Sequence, residues 1–378
     1  MSAKKRVLLF DYYATSTMWS EHSLLALVDN VEANKYELIV VINRANDIGA
    51  KLQQKGIRCT CVPHGGGSLL SRVRRYAELP FVLRRLAEEV RPDLIHANNA
   101  MAGRSAMLLK AFMRVPVLVQ LRNIGLPSRT ASMVLRADHF APVSRATMLG
   151  TLPERQQERS TVVYDGLELK SYRLQGPEAC AAARAALGAP EGALVVGMAG
   201  RLSPQKGQIF LIEAAEVVVR TQCNVVFFHA GGVPSPRSAD PYERQLFERS
   251  RSLCERGVFK WIDYMTDMPQ FWRAVDIAVV PSSGPEAFGR VVLEAMAMEK
   301  PVVATRSGGP EEILASSGCG VLVPMQDSTE LAEAVLKLVS DPGRRQALGR
   351  KGRELVERTY SAAKYGGRMM DLYQTLMQ

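Results

Sequence analysis

At 378 residues the chain is long for one hydrophobic core and comfortable for two, so two domains are expected. Its composition, 47% hydrophobic and 23% charged, is ordinary for a soluble protein, and no apolar run reaches the roughly 18 residues of a membrane-spanning helix. The net charge of +10 is uneven: residues 1–180 hold 25 Lys and Arg against 16 Asp and Glu, and residues 181–378 hold 23 against 22, so an anionic partner should meet the first half.

The start, MSAKKRVLLFDYY, is basic, but its apolar run ends at Asp11, too soon for a secretory signal. It reads as the first strand of a cytoplasmic protein. Strands are then expected at RVLLFD (6–11), ELIVVI (37–42), RCTCVP (58–63), DLIHA (93–97), VPVLVQL (115–121), HFAPVS (139–144) and STVVYDG (160–166). Such continuous apolar runs suit strands buried on both faces of a parallel sheet. Amphipathic stretches such as SEHSLLALVDNV (20–31) and GRSAMLLKAFMR (103–114) lie between them, giving a βα repeat and a doubly wound sheet. The segment 69–91 concentrates six arginines and reads as a solvated helical pair. It lacks the interleaved stacking aromatics of a nucleic-acid surface, and no nucleic acid partner is expected.

After the breaker-rich LQGPEA (174–179) the pattern restarts. ALVVGMAG (193–200), NVVFFHAG (224–231), VFKWID (258–263), DIAVVP (276–281), PVVATR (301–306) and GVLVP (320–324) are the strands of a second sheet, and a helical tail breaks near Tyr360 and Ser361. The expected domains are 1–174, 175–358 and a C-terminal helix, 359–378, returning to the first domain. The six cysteines have neither the density nor the spacing of a disulfide framework or zinc site, and no metal is expected.

Ligands of open α/β sheets gather beyond the carboxyl ends of the strands. Behind ALVVGMAG comes RLSPQKG (201–207), which places Arg201 and Lys206 in a loop feeding a helix N-terminus, where backbone N–H groups already favour an anion; two cations there suit a diphosphate. Behind DIAVVP comes GPEAFGRVVLE (284–294), with Glu286 in the loop and Glu294 near the end of the following helix's first turn. Carboxylates accept paired hydrogen bonds from vicinal hydroxyls of a ribose or hexose, and the Phe288 and Gly289 amides open the same helix.

PSSGPEAFGRVVLEAMA, GRLSPQKG, PVVATRSGGPEEI and GVLVPMQDSTELAEAV together resemble the retaining GT-B glycosyltransferases of family 4, and weaker likeness extends over almost the whole chain. The resemblance implies two Rossmann-like, doubly wound domains facing across a cleft, the second holding a nucleotide diphosphate-sugar and the first a sugar-containing acceptor. It implies that Arg201 and Lys206 bind the diphosphate, Glu294 the ribose, and Glu286 with Phe288 and Gly289 the transferred sugar. His96, in DLIHA, matches the family's cleft-facing histidine, so Glu286, His96, Arg201 and Lys206 form the expected catalytic set. There is no Asp-x-Asp triplet, and a same-face displacement without a catalytic metal is expected.

The chain departs from the pattern in three places. Thr15, Ser16 and Thr17 stand where a Gly-rich turn is usual, and either cap a helix or shape an acceptor site. Asp165 stands where asparagine is commoner, and Asp263 where glycine is usual. Arg72, Arg74, Arg75, Arg84 and Arg85, interleaved with Leu69, Leu70, Phe81, Val82 and Leu83, are a candidate surface for a lipid-linked or cell-envelope glycan acceptor at the inner face of an anionic membrane. Two alternatives are a sugar-nucleotide epimerase of the same fold, against which the Glu286 to Glu294 motif argues, and a non-catalytic nucleotide-sugar-binding protein, against which intact Arg201, Lys206, Glu286 and Glu294 argue.

Overall fold

The computed structural model describes residues 4–12, 18–43, 47–62, 69–126, 128–315 and 317–378; of these, 18–20, 69–77, 129 and 130 are described by backbone alone. Two compact units divide the chain: Met1–Gly166 with Ala362–Gln378, and Leu167–Ser361. Residues 167–174, expected in the first domain, therefore belong to the second. Leu167 N–H donates to the Tyr360 carbonyl (2.8 Å), and Arg353 donates to the Tyr172 carbonyl (2.7 Å), which ties that segment to the unit's last helix.

In the first unit the strands are β1 (Lys5–Asp11), β2 (Tyr36–Ile42), β3 (Arg58–Cys61), β4 (Leu94–Ala97), β5 (Val117–Leu121) and β6 (His139–Pro142). The helices are α1 (Met18–Asn30), α2 (Asp47–Gln54), α3 (Leu69–Val90), α4 (Ala100–Lys110), α5 (Ser128–Val134), α6 (Arg145–Thr151) and α7 (Glu154–Gln157). The sheet is parallel with order β3-β2-β1-β4-β5-β6, so its direction of growth reverses between β1 and β4. Alternation along β1 explains the continuous apolar run: Val7 and Leu9 enter one core with residues of α1, while Leu8 and Phe10 enter the other with residues of α3 and α4.

Two expectations change here. STVVYDG forms no strand. Its N–H groups at Thr161 and Val163 donate to the carbonyls of Phe140 and Pro142 (both 2.9 Å), but Pro142 has no N–H to return, and the ladder stops. The arginine-rich segment is one 22-residue helix, α3, with Pro80 inside it rather than a pair. Buried Leu79, Leu83, Leu86, Ala87 and Val90 carry one apolar stripe past the proline, and that packing outweighs the missing backbone bond.

The second unit contains β7 (Leu194–Ala199), β8 (Val225–Ala230), β9 (Phe259–Ile262), β10 (Ile277–Val280), β11 (Val302–Thr305) and β12 (Gly320–Val323). Its helices are α8 (Pro177–Ala186), α9 (Gln208–Thr221), α10 (Pro241–Glu255), α11 (Met268–Ala274), α12 (Arg290–Ala297), α13 (Gly309–Ala315), α14 (Ser328–Val339) and α15 (Pro342–Thr359). The parallel order β12-β11-β10-β7-β8-β9 reverses between β7 and β10. Helix α16 (Ala362–Leu376) then packs against α1 of the first unit, burying Tyr365, Met369, Leu372 and Tyr373 at helical spacing.

Arg122, just past β5, ties the first unit together at the end of its sheet. Its guanidinium donates to both Asp165 carboxylate oxygens (2.6 and 2.7 Å), the Asn98 carbonyl (2.9 Å) and side-chain oxygen (2.8 Å), Gln120 Oε1 (2.9 Å) and the Tyr365 hydroxyl (3.2 Å). The Arg122 and Asp165 side chains are 10% and 13% exposed, so the pair is mostly removed from water. Removing one member of such a pair strands the other. Arg122→Met should destabilise the chain by about 3 kcal/mol, and Asp165→Asn added to it should restore part of the loss. Urea midpoints check this; an unchanged midpoint in Arg122→Met would show that the cluster contributes no stability.

Candidate active site

The loops after β7 and β10 lie beside each other at the second unit's point of reversal, where open α/β sheets bind ligands. Gly207 makes their approach possible. It has φ of 76°, and a Cβ there would fall 1.9 Å from the Pro281 carbonyl oxygen. Hydrogen bonds then fasten the two loops: Ser283 N–H to the Gln205 carbonyl (3.0 Å), Ser283 Oγ to the Pro204 carbonyl (2.7 Å) and Gln205 Nε2 to the Pro285 carbonyl (2.7 Å).

Lys206 ends a short 3-10 turn (Pro204–Lys206) immediately before Gly207 and α9. Its ammonium contacts Glu286 Oε2 at 2.6 Å, with the two side chains 23% and 15% exposed. Glu286 is held through its backbone: its N–H donates to the Ser307 carbonyl (2.6 Å), and its own carbonyl accepts from Gly309 N–H (2.9 Å). Ser282 Oγ donates to the same carboxylate oxygen at 3.4 Å. Arg201 is exposed, and its carbonyl accepts from the Gln208 side chain at 2.8 Å. Phe288 is buried with its ring tilted against Tyr360, and Gly289 is the N-cap of α12 with φ of 83°.

Two expected residues sit elsewhere than the sequence suggests. Glu294 lies in the second turn of α12 and is 2% exposed. Its carboxylate accepts from Trp272 Nε1 (3.4 Å) and pairs with Arg290 (3.4 Å), and burial raises its pKa against the pull of Arg290. Enclosed in this way, it does not open with Glu286 onto one mouth. His96 faces inward. Its register along β4 puts it on the face of Leu94, where its ring is fully buried and Nδ1 lies 2.8 Å from the Tyr373 hydroxyl of α16. The expectation that this ring lines a ligand site is corrected: both faces of β4 are buried, and the face of Leu94 is covered by α16.

Of the candidate acceptor residues, Thr15 and Ser16 lie outside the described residues, and Arg72, Arg74 and Arg75 are described by backbone alone. Arg84 and Arg85 are exposed, with Arg84 paired to Glu88 at 2.9 Å. Leu83 is fully buried in the first unit's core and cannot insert beside them, whereas Phe81 is 76% exposed.

Sequence reasoning missed two polar clusters. At the first unit's reversal, Asp11 at the end of β1 accepts from Asn98 and Asn99 (3.2 and 3.3 Å) beyond β4. Under the Arg201–Lys206 loop, buried Gln208 meets His229 of β8 and Tyr242 of α10. The available signal was positional: Asp11 and Asn98 end the two strands that flank the reversal. Among the described residues, no group of three or more His, Cys, Asp or Glu side chains is placed to hold a metal ion. The arrangement as a whole offers an anion two cations and a helix N-terminus, with a carboxylate alongside for hydroxyl groups.

Residues 181–355 match the family model described as glycosyl transferases group 1, and residues 20–156 match that of a glycosyl transferase 4-like domain. The chain is 31% identical over 317 residues to a D-inositol 3-phosphate glycosyltransferase of Saccharomonospora viridis, covering 75% of this chain and 70% of that one. A protein of the same name from Corynebacterium glutamicum is 27% identical over 393 residues, covering 96% of this chain and 86% of its own. Among solved structures, Anabaena HepE in complex with UDP-glucose has a TM-score of 0.79 at 23% identity, over 98% of this chain and 99% of that one. A glycosyltransferase from Rickettsia africae has a TM-score of 0.84 at 15% identity over the full length of both. At these identities the two solved structures establish the shared fold.

The buried histidines make a pH prediction. Burial, with the Arg122 charge adding to it, lowers His96 to about 3, and burial lowers His229 to about 3. An unfolded histidine titrates near 6.5, so as pH falls the unfolded chain binds protons first. Stability is therefore full above about pH 6.5 and lost toward pH 3, with a slope of about 1.4 kcal/mol per pH unit for each histidine. Urea unfolding between pH 7 and 5 should show this slope, and His229→Gln should flatten it. Flat stability in the wild type would show that neither ring is held neutral.

Proposed function

The chain belongs to the GT-B glycosyltransferases of family 4, the glycosyl transferases group 1, and on that footing we propose that it moves a hexosyl group from a nucleoside diphosphate-sugar to an acceptor hydroxyl with retention of anomeric configuration. The observation that carries this reading is the Lys206–Glu286 contact at the carboxyl ends of β7 and β10. An ammonium has three donors, and Glu286 takes one, leaving capacity for phosphate oxygens. Arg201, in the same loop, adds a second cation.

Breaking the anomeric C–O bond leaves positive charge on the sugar and negative charge on the departing diphosphate. Cations fixed beforehand at that position stabilise the transition state more than the ground state, and this is the role of Arg201 and Lys206. The Glu286 carboxylate accepts hydrogen bonds from hydroxyls of the transferred sugar. The acceptor oxygen attacks the face from which the diphosphate leaves and passes its proton to the departing phosphate oxygen. Neither step draws on a metal ion.

UDP-glucose, the ligand of the Anabaena structure, is the first donor to test. Two observations support an anionic acceptor: the relatives are named for D-inositol 3-phosphate, and residues 1–180 hold most of the excess positive charge. A lipid-linked acceptor at a membrane surface is a second reading, favoured by exposed Phe81 and Val82 on α3 and by half-exposed Phe112, which with Arg84, Glu88 and Met113 lines a cavity of about 290 Å³. No helix among the described residues is long and apolar enough to cross a membrane.

With UDP-glucose as donor, Arg201→Ala and Lys206→Ala should each lower turnover by about 10²–10³ while leaving the circular dichroism spectrum unchanged. Glu286→Gln should lose transfer more than UDP affinity, and NMR of the product should show the donor's anomeric configuration. Near-normal turnover in both cation variants would remove the diphosphate assignment. For the membrane reading, vesicle flotation decides: the protein should rise with anionic liposomes at low salt, release at high salt and lose binding when Arg72, Arg74, Arg75, Arg84 and Arg85 become glutamine. Protein that stays in the soluble fraction at low salt makes a soluble acceptor the better reading.

A further inference from the structure

We infer that Gln208 is a positioning residue for the diphosphate: its buried amide, oriented by Tyr242 and His229, fixes the backbone of the loop that carries Arg201 and Lys206. The inference rests on the donor reading above and names a part of the site that neither cation supplies.

Gln208 is the first residue of α9 and is fully buried. A side chain at that position would ordinarily be free to reach water, because the first turn of a helix has no preceding turn to cover it. Here both polar atoms of the amide have partners. Nε2 donates to the Arg201 carbonyl at 2.8 Å and lies 3.3 Å from His229 Nε2 on β8, and Oε1 accepts from the Tyr242 hydroxyl of α10 at 3.0 Å. The orientation of the amide is decided by these partners. A flip would set Oε1 against the Arg201 carbonyl oxygen, and the two acceptors would repel.

The chain of contacts ends on the loop that matters for charge placement. Arg201 is exposed and its side chain is long, so the direction in which the guanidinium starts out is set by its backbone. That backbone is held at its carbonyl by Gln208. Lys206 is held at the other end of the same loop by Glu286 and by the Gly207 approach to Pro281. The loop therefore has two anchors. One is at Lys206, beside the reacting sugar, and the other runs through Gln208 into β8 and α10. A preorganised cation needs both, since a few tenths of an ångström at the backbone are amplified along an arginine side chain.

The test separates positioning of the diphosphate from general weakening of the unit. UDP, UMP and inorganic pyrophosphate are titrated calorimetrically into the wild type, Gln208→Met and Tyr242→Phe. Methionine fills similar space without hydrogen bonding; phenylalanine removes only the hydroxyl that orients the amide. The wild type should bind UDP more tightly than UMP, and should bind pyrophosphate. Gln208→Met should reduce the ratio of UDP to UMP affinity about tenfold and weaken pyrophosphate to match, with a lowered thermal midpoint because it strands the partners of the amide, and Tyr242→Phe should reduce the ratio about two- to threefold with a midpoint near the wild type. If Gln208→Met fails to fold, Tyr242→Phe carries the test alone. An unchanged ratio, or equal loss of UDP and UMP, overturns the inference. A wild type that binds neither UDP nor pyrophosphate overturns the donor-site reading itself, and is distinguished because the failure appears before any substitution.

Discussion

The close approach of Gly207 to the Pro281 carbonyl oxygen is the constraint on which the rest of the site depends. Any side chain at 207 would place a carbon 1.9 Å from that oxygen, so only glycine lets the loop after β7 lie against the loop after β10. The contact makes the Ser283 and Gln205 hydrogen bonds possible and brings Lys206 to Glu286, residues 80 positions apart in sequence. A parallel sheet supplies the frame, because its reversal between β7 and β10 leaves a gap between the helices following those strands. The glycine converts that gap into a defined arrangement of charges.

The same topology is used differently in the first unit. Its reversal lies between β1 and β4, and there the polar groups satisfy one another: Asp11 with Asn98 and Asn99, and Arg122 with Asn98, Asp165, Gln120 and Tyr365. Arg122 is nearly enclosed, whereas Arg201 in the second unit is exposed. A saturated guanidinium fixes a framework, and an exposed one is available to a ligand. Asp165 and Tyr365 stand close to the two places where the chain leaves and re-enters the first unit, so the Arg122 cluster also secures those segments.

Much of the fold was legible because parallel strands buried on both faces leave an unmistakable record: continuous β-branched runs separated by helix-length segments. STVVYDG carried the same record and formed no strand, because Pro142 in its neighbour lacks the donor the ladder needs; the defect lies in the partner, and a local reading cannot see it. The segment 69–91, read as a helical pair, is one helix instead: an apolar stripe that only tertiary packing makes decisive runs through Pro80. His96 is expected to face a ligand because it matches the family's cleft-facing histidine, but both faces of β4 are buried, and its register puts it on the side of Leu94, toward Tyr373 of α16.

By itself the sequence determined the βα alternation, the six strands of the second sheet, and the loops bearing Arg201, Lys206 and Glu286, because periodicity, glycine and charge are local properties of the chain. Tertiary structure decided which of these groups meet. It joined Lys206 to Glu286, enclosed Glu294 with Trp272 and Arg290, turned His96 toward Tyr373, and set Gln208 beneath Arg201. The Arg290–Glu294 pair and the Gln208–Arg201 bond are local in sequence, but the Lys206–Glu286, Trp272–Glu294 and His96–Tyr373 contacts depend on elements far apart in the chain, and burial is fixed only when those are assembled.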